Sequence, residues 1–169
     1  MDKQSLRKWA KDKRKEINMN AKSNILVNKL MQSSEYINSK KIMIFYPLKN
    51  EINLLSLLDD NSKQFYLPRI KGDILECCPY CKDDELSESD FHTKEPICNS
   101  CSKSNIDLVV VPALLCDKLN YRLGYGGGFY DKFLTNFNGK SVVCIPSELI
   151  IDELPINSYD IRINNVIVA

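Results

Sequence analysis

Residues 121 to 131 read Tyr-Arg-Leu-Gly-Tyr-Gly-Gly-Gly-Phe-Tyr-Asp, and four of the chain's six glycines lie there, at 124, 126, 127 and 128. Ahead of them, Leu108 to Pro112 has the apolar continuity of a buried strand. Behind them, Phe129, Phe133, Leu134 and Phe137 recur at three and four residues, as on one face of a helix. Glycines at such a junction let the backbone turn sharply and bring its N–H groups close to a ligand. The helix start adds free N–H donors and partial positive charge, which suit phosphate oxygens. Arg122 supplies a fixed cation, and Asp131 a hard oxygen of the kind that magnesium takes. The segment predicts a polyphosphate-holding loop. It is not a P-loop, because no Gly-Lys-Ser/Thr follows, and its glycines lack the dinucleotide-fingerprint spacing. A bare glycine cluster would be only a turn; the Arg, the Asp and the strand-to-helix setting favour a ligand.

A second constellation is Cys78-Pro79-Tyr80-Cys81 with Cys98-Asn99-Ser100-Cys101. Two such pairs fit a four-thiolate zinc site that ties down a polar segment, and free cysteines are the equal alternative. Cys-Pro-Tyr-Cys as a redox motif should open a long helix, whereas Lys82 to Asp90 is polar and aperiodic. Cys77, Cys116 and Cys144 read as ordinary thiols, and His92, the one histidine, as a surface residue.

The elements that must position these residues alternate in type. Leu6, Trp9, Ala10, Lys13 and Ile17 mark a first helix with basic residues around it, and Ala21 to Met31 a second. Lys41 to Tyr46 reads as a strand stopped by Pro47, Glu51 to Leu58 as a helix, and Gln64 to Leu67 as a strand before Pro68. Asp73 to Glu76, Ser141 to Ile145 and Ile161 to Val168 read as further strands, with 77–105 a long loop or small Cys-bearing insert. The prediction is an α/β fold, a single-domain layered sandwich over 1–169 whose central, mainly parallel sheet is flanked by helices. Such sheets bind ligands beyond the carboxyl ends of their strands.

At 169 residues the chain is long enough for a real core, and 27% charged residues with a net charge of +1 give no electrostatic reason for nucleic acid or membrane. The start is too charged for a signal peptide, no apolar run approaches spanning length, and seven cysteines do not suggest a secreted framework. The expectation is a cytoplasmic monomer acting on small molecules.

Val111-Pro112-Ala113 through Asp117, followed by Tyr121 to Asp131, resembles the signature of the 5-formyltetrahydrofolate cyclo-ligases (5,10-methenyltetrahydrofolate synthetases). Weaker matches follow in order along the chain: Lys3 with Leu6-Arg7, Tyr46-Pro47, Glu51, Leu67-Pro68-Arg69, Glu95-Pro96, Leu154-Pro155 and Asp160. Phe129 departs from the family's usual Tyr, and the cysteine segment is a second departure. The resemblance implies conversion of 5-formyltetrahydrofolate and ATP to 5,10-methenyltetrahydrofolate, ADP and phosphate. It implies that Arg122, Leu123, Gly124, Tyr125, Gly126, Gly127, Gly128, Phe129 and Tyr130 hold the phosphates. Asp131 would contribute to Mg2+ binding, and Arg122 and Asp131 would be catalytic. Lys3 and Arg7, four apart on one helical face, would fold over the triphosphate; without the resemblance they are a solvated basic face. Tyr46 and Glu51 match folate-contacting positions, where an aromatic can stack on the pterin and a carboxylate can accept from its N–H groups.

Two other readings stay open: a zinc-ribbon module that grips nucleic acid with its basic first helix, and a relative that kept the nucleotide loop but changed the acceptor.

Overall fold

The chain's computed structural model describes residues 1–90 and 92–169. Helix α1 (Lys3–Arg14) begins where Asp2 accepts the Ser5 N–H at 2.7 Å. Helix α2 (Met19–Gln32) begins where the Asn18 side chain accepts the Ala21 N–H at 3.1 Å. Each cap satisfies a donor that the first turn leaves without a helical partner. In α1 the buried residues are Leu6, Ala10 and Arg14, while Trp9 is exposed. The inward stripe is therefore spaced at four and does not run through Trp9 and Lys13. In α2, Leu26, Val27 and Leu30 face inward, whereas Ile25 and Met31 are left at the surface. A single turn, α3 (Ser34–Ile37), leads into the sheet.

The strands are β1 (Lys41–Met43), β2 (Gln64–Lys71), β3 (Ile74–Pro79), β4 (Leu86–Glu88), β5 (Lys94–Pro96), β6 (Leu108–Val110), β7 (Leu115–Asp117), β8 (Arg122–Leu123), β9 (Lys140–Ile145), β10 (Ile150–Ile151) and β11 (Asn165–Val168), with helix α4 (Phe129–Leu134) between β8 and β9. Six of them form the central sheet in the order β11-β9-β6-β1-β2-β3. Every pairing in it is parallel except β2 with β3. This is the expected mixed, mostly parallel α/β sheet. At its centre β6 is buried at all three positions, which explains its unbroken apolar run.

The chain leaves β1 for β2 on one side, but leaves β6 for β9 on the other. Strand order thus reverses between β1 and β6. The crevice beyond their carboxyl ends is the place where such sheets take ligands.

Several local expectations are corrected. Pro68 does not end β2, because pairing with β1 stops at Tyr66 and the missing N–H beyond it is not needed there. Residues 51–58 form no α-helix; a 3-10 turn, Leu55–Asp59, takes their place. Ile52, Leu54 and Leu57 are buried at spacings of two and three, which do not make one α-helical face. Of the two expectations for 77–105, the described residues fit the small insert better than a loop: β3 runs to Pro79, and β4 pairs with β5. Between β6 and the glycines lies the antiparallel pair β7–β8, so the strand entering the loop is β8. Helix α4 ends at Leu134, although the Phe137 ring still lies 5.2 Å from that of Phe133. The last strand starts only at Asn165.

Candidate active site

At the β1–β6 crevice the structure opens a cavity of about 930 Å³. Lys3 and Arg7 reach it from α1, Tyr46 and Glu51 from the segment after β1, and Arg122 through Asp131 from β8, the glycine loop and the start of α4. Every residue expected to touch nucleotide or folate therefore lines one cavity. They come from segments more than 100 residues apart in sequence.

The glycines are used in two different ways. Gly126 (φ +110) and Gly128 (φ +72) lie in backbone conformations that side chains disfavour, and Gly128 is the residue from which α4 starts. Gly124 is needed for space: a Cβ there would lie 2.6 Å from Arg122 Nη1. Arg7 closes over the loop, its Nε donating to the Gly124 carbonyl at 2.8 Å.

Arg122 is 9% exposed, and its Nη1 donates to the Pro112 carbonyl at 3.3 Å. Its guanidinium lies 5.6 Å from the centre of the Tyr130 ring. The buried Nε has no hydrogen-bond partner. Burial pushes the guanidinium below its ordinary pKa, opposed first by the charge of Asp131. A buried cation with an unused donor, on the wall of a glycine-lined cavity, is suited to an incoming anion.

The carboxylates are held in place. Asp160 accepts from Lys3 Nζ at 2.6 Å and from the Asn157 N–H at 2.8 Å. Asp131 accepts from the Ile161 N–H at 3.3 Å. Glu51, 8% exposed, accepts from the Leu48 N–H at 2.6 Å and from the Tyr125 hydroxyl at 3.1 Å. Burial raises the Glu51 pKa; the two hydrogen bonds oppose that shift. Burial also raises the Tyr130 and Tyr125 hydroxyls, both helped by the Glu51 charge.

Parts of the cavity wall were given no role from the sequence, although Glu95 and Asp160 matched the family pattern. Thr93, Lys94 and Glu95 bring the cysteine-bearing segment onto the cavity, with Lys94 Nζ 5.7 Å from the Tyr46 ring centre. Asn157 to Ile161 form another wall. Arg14, 4% exposed, was also missed; it donates to the carbonyls of Asn50 (3.0 Å), Leu114 (3.4 Å) and Ala113. It anchors α1, with Lys3 and Arg7, to the chain beyond β1 and β6. Its spacing from Leu6 and Ala10 is the signal that could have revealed it.

The paired cysteines do not come together as one ligand set. Cys78 is buried, Cys81 and Cys98 are exposed, and Cys101 sits beside Cys77. Among the described residues, no three His, Cys, Asp or Glu side chains are grouped to hold a metal ion. Nor is any helix there long and apolar enough to cross a membrane.

The model of the 5-formyltetrahydrofolate cyclo-ligase family matches residues 1–169. The 5-formyltetrahydrofolate cyclo-ligase of Mycoplasma genitalium is 30% identical over 142 residues, 80% of this chain and 78% of that protein. That of Haemophilus influenzae is 28% identical over 145 residues, 78% of this chain and 76% of that protein. The NMR structure of Aquifex aeolicus 5,10-methenyltetrahydrofolate synthetase superposes with a TM-score of 0.88 at 26% identity, covering 99% of this chain and 90% of that one.

Proposed function

Because this chain belongs to the 5-formyltetrahydrofolate cyclo-ligase family, we propose that its cavity aligns ATP, along Lys3, Arg7, Arg122 and the 123–130 loop, with a reduced folate held by Tyr46 and Glu51. The protein is a ligase that converts 5-formyltetrahydrofolate and ATP to 5,10-methenyltetrahydrofolate, ADP and phosphate.

The chemistry explains why such a cavity is needed. A formamide oxygen is a poor leaving group. Once it has taken the γ-phosphoryl group, the neighbouring folate nitrogen can attack the formyl carbon, close the ring and expel phosphate. The protein's task is to align the formyl oxygen with the γ-phosphate and to neutralise charge during transfer. Arg122 is suited to that charge, since it places a fixed guanidinium on the cavity wall beside the glycine loop. Arg7 and Lys3 come down from α1 onto the same end of the cavity.

The observation that carries this reading is the bond from Tyr125, on the phosphate loop, to Glu51, on the proposed folate wall, at 3.1 Å. It holds the two half-sites against each other. An incoming pterin N–H would find in Glu51 a carboxylate already desolvated and oriented.

Magnesium fits this donor set: it keeps phosphate oxygens and waters as ligands and needs only one or two carboxylates, here Asp131. When bound it would neutralise phosphate charge. Zinc would require the Cys78, Cys81, Cys98 and Cys101 thiols to converge further than they do among the described residues. All of these groups come from one chain, and we propose that the enzyme works as a monomer on small molecules alone.

Substrate carrying 18O in the formyl group tests the chemistry. The label should appear in the inorganic phosphate released. Phosphate without label, at normal turnover, would rule out transfer to the formyl oxygen.

A further inference from the structure

Five of the seven cysteines lie between residues 77 and 101, a cluster the ligase reaction does not use. Within it, Cys77 of β3 and Cys101 face each other across an antiparallel bridge. The Cys101 N–H donates to the Cys77 carbonyl at 2.8 Å, and the two Sγ atoms are 3.7 Å apart. We propose that Cys77 and Cys101 form an oxidisable dithiol, which a small disulfide of the glutathione class converts to an intramolecular disulfide that fastens the Thr93–Glu95 wall of the cavity to the sheet.

The backbone favours this pair over the others. Directly opposed antiparallel residues hold their Cα atoms about 4.5–5.5 Å apart, inside the range a disulfide requires. Closing the gap between the sulfurs then needs side-chain rotation and no change of register. Cys78, the next residue along β3, projects to the opposite face of the strand. The Cys98 thiol is directed to the Pro79 carbonyl, at 3.3 Å, whereas the Cys77 thiol is directed to the carbonyl of Cys101, the residue it would join, at 3.2 Å. Cys116 and Cys144 are buried on β7 and β9, away from the cluster.

The order of events follows from access. Cys101 is partly exposed and Cys77 is 1% exposed. The Cys101 thiolate attacks one sulfur of the small disulfide, forming a mixed disulfide and releasing one thiol. Cys77 gives its proton to solvent and attacks Cys101 Sγ, releasing the second thiol. Two electrons pass from the protein's thiols to the small disulfide, and the net products are one protein disulfide and two small thiols. Burial raises the Cys77 thiol to about 12, so the second step should quicken as pH rises.

The closed loop contains Thr93, Lys94 and Glu95, which line the cavity. Cross-linking it removes freedom from the unfolded chain and stiffens that wall.

The experiment is oxidation of the full-length protein with oxidised glutathione, followed by alkylation of free thiols, digestion and fragment-ion mapping. The expected product lacks two hydrogens, joins Cys77 to Cys101, and melts at a higher temperature that dithiothreitol returns to the starting value. Cys101→Ser, at the accessible position, should abolish the link and the shift while keeping the reduced protein's melting temperature. Cys77→Ala provides the same check from the buried side. A link within Cys98–Cys101 or Cys78–Cys81, or a lasting glutathione adduct on Cys101, would overturn the proposal. So would one zinc per chain that is lost in Cys101→Ser, since those thiols would then be metal ligands.

Discussion

Tyr125 and Glu51 lie 74 positions apart in the sequence, yet the tyrosine hydroxyl donates to Glu51 Oε2 at 3.1 Å inside the cavity. The bond joins the glycine loop to the segment after β1, and so the proposed nucleotide side to the proposed folate side. Tyr125→Phe should leave the fold intact and raise the KM for folate more than that for ATP. Steady-state kinetics with each substrate varied in turn measures the difference; equal changes in both would count against the coupling.

Glu51 gives a pH prediction. Burial raises its pKa, so the folded state holds a proton on Glu51 more readily than the unfolded chain does. Its contribution to stability is fully present below the unfolded-state value and is lost as pH rises through the raised folded value. Glu51→Gln should therefore gain stability over the natural protein on going from acidic to neutral pH. It should also lose folate affinity, because the neutral amide accepts more weakly from pterin N–H groups. Urea titrations across that range read the first effect, and folate KM the second.

Arg122 tests the phosphate end. Its buried charge has an unused Nε donor, so Arg122→Ala should cost little stability. Turnover should fall by about 100-fold or more, the scale of losing a preorganised charge at a transition state. Arg122→Lys should recover little, because one ammonium cannot reproduce the planar fork. Melting temperature and kcat, measured together, separate the two effects.

Two glycines should respond in opposite ways. In Gly124→Ala the new Cβ meets Arg122 Nη1, and displacing that guanidinium should lower activity with a small change in stability. In Gly128→Ala no atom lies within 4 Å of the new Cβ, but φ is +72. That variant should lose about 1 kcal/mol of stability, the usual cost of left-handed backbone for a residue with Cβ. Denaturant midpoints and kcat for the pair provide the comparison.

Arg14 is structural. Arg14→Ala strips partners from the carbonyls of Asn50, Ala113 and Leu114 and should cost roughly 2–4 kcal/mol. Loss of Arg14 should also loosen α1, which carries Lys3 and Arg7. Urea unfolding checks the first effect, and the KM for ATP the second.

The proposed phosphate loop could be read from the sequence because its cues are local. Glycine placement, the adjoining Arg and Asp, and the apolar runs on either side all speak within 30 residues. Lys3, Arg7, Tyr46 and Glu51 had no such local signature; the family pattern singled them out, and the structure brings them to the same cavity. What stayed hidden depends on distant partners. Arg14 looked like one more charge on a basic helix, because the carbonyls that hold it follow β1 and β6. β4 and β5 are short and polar, and their pairing shows only once the chain is folded. The two Cys-x-x-Cys pairs suggested zinc by spacing, but spacing does not say which sulfurs face each other. β3 sets Cys77, outside both pairs, beside Cys101.

The measurement closest to the central claim is direct. The purified protein is mixed with magnesium-ATP and 5-formyltetrahydrofolate, and the near-ultraviolet absorbance of the methenyl product is followed. The account predicts a rise that requires both ATP and the folate and nearly disappears in Arg122→Ala. No rise, from folded protein that still binds ATP, would contradict it and leave a nucleotide site serving a different acceptor.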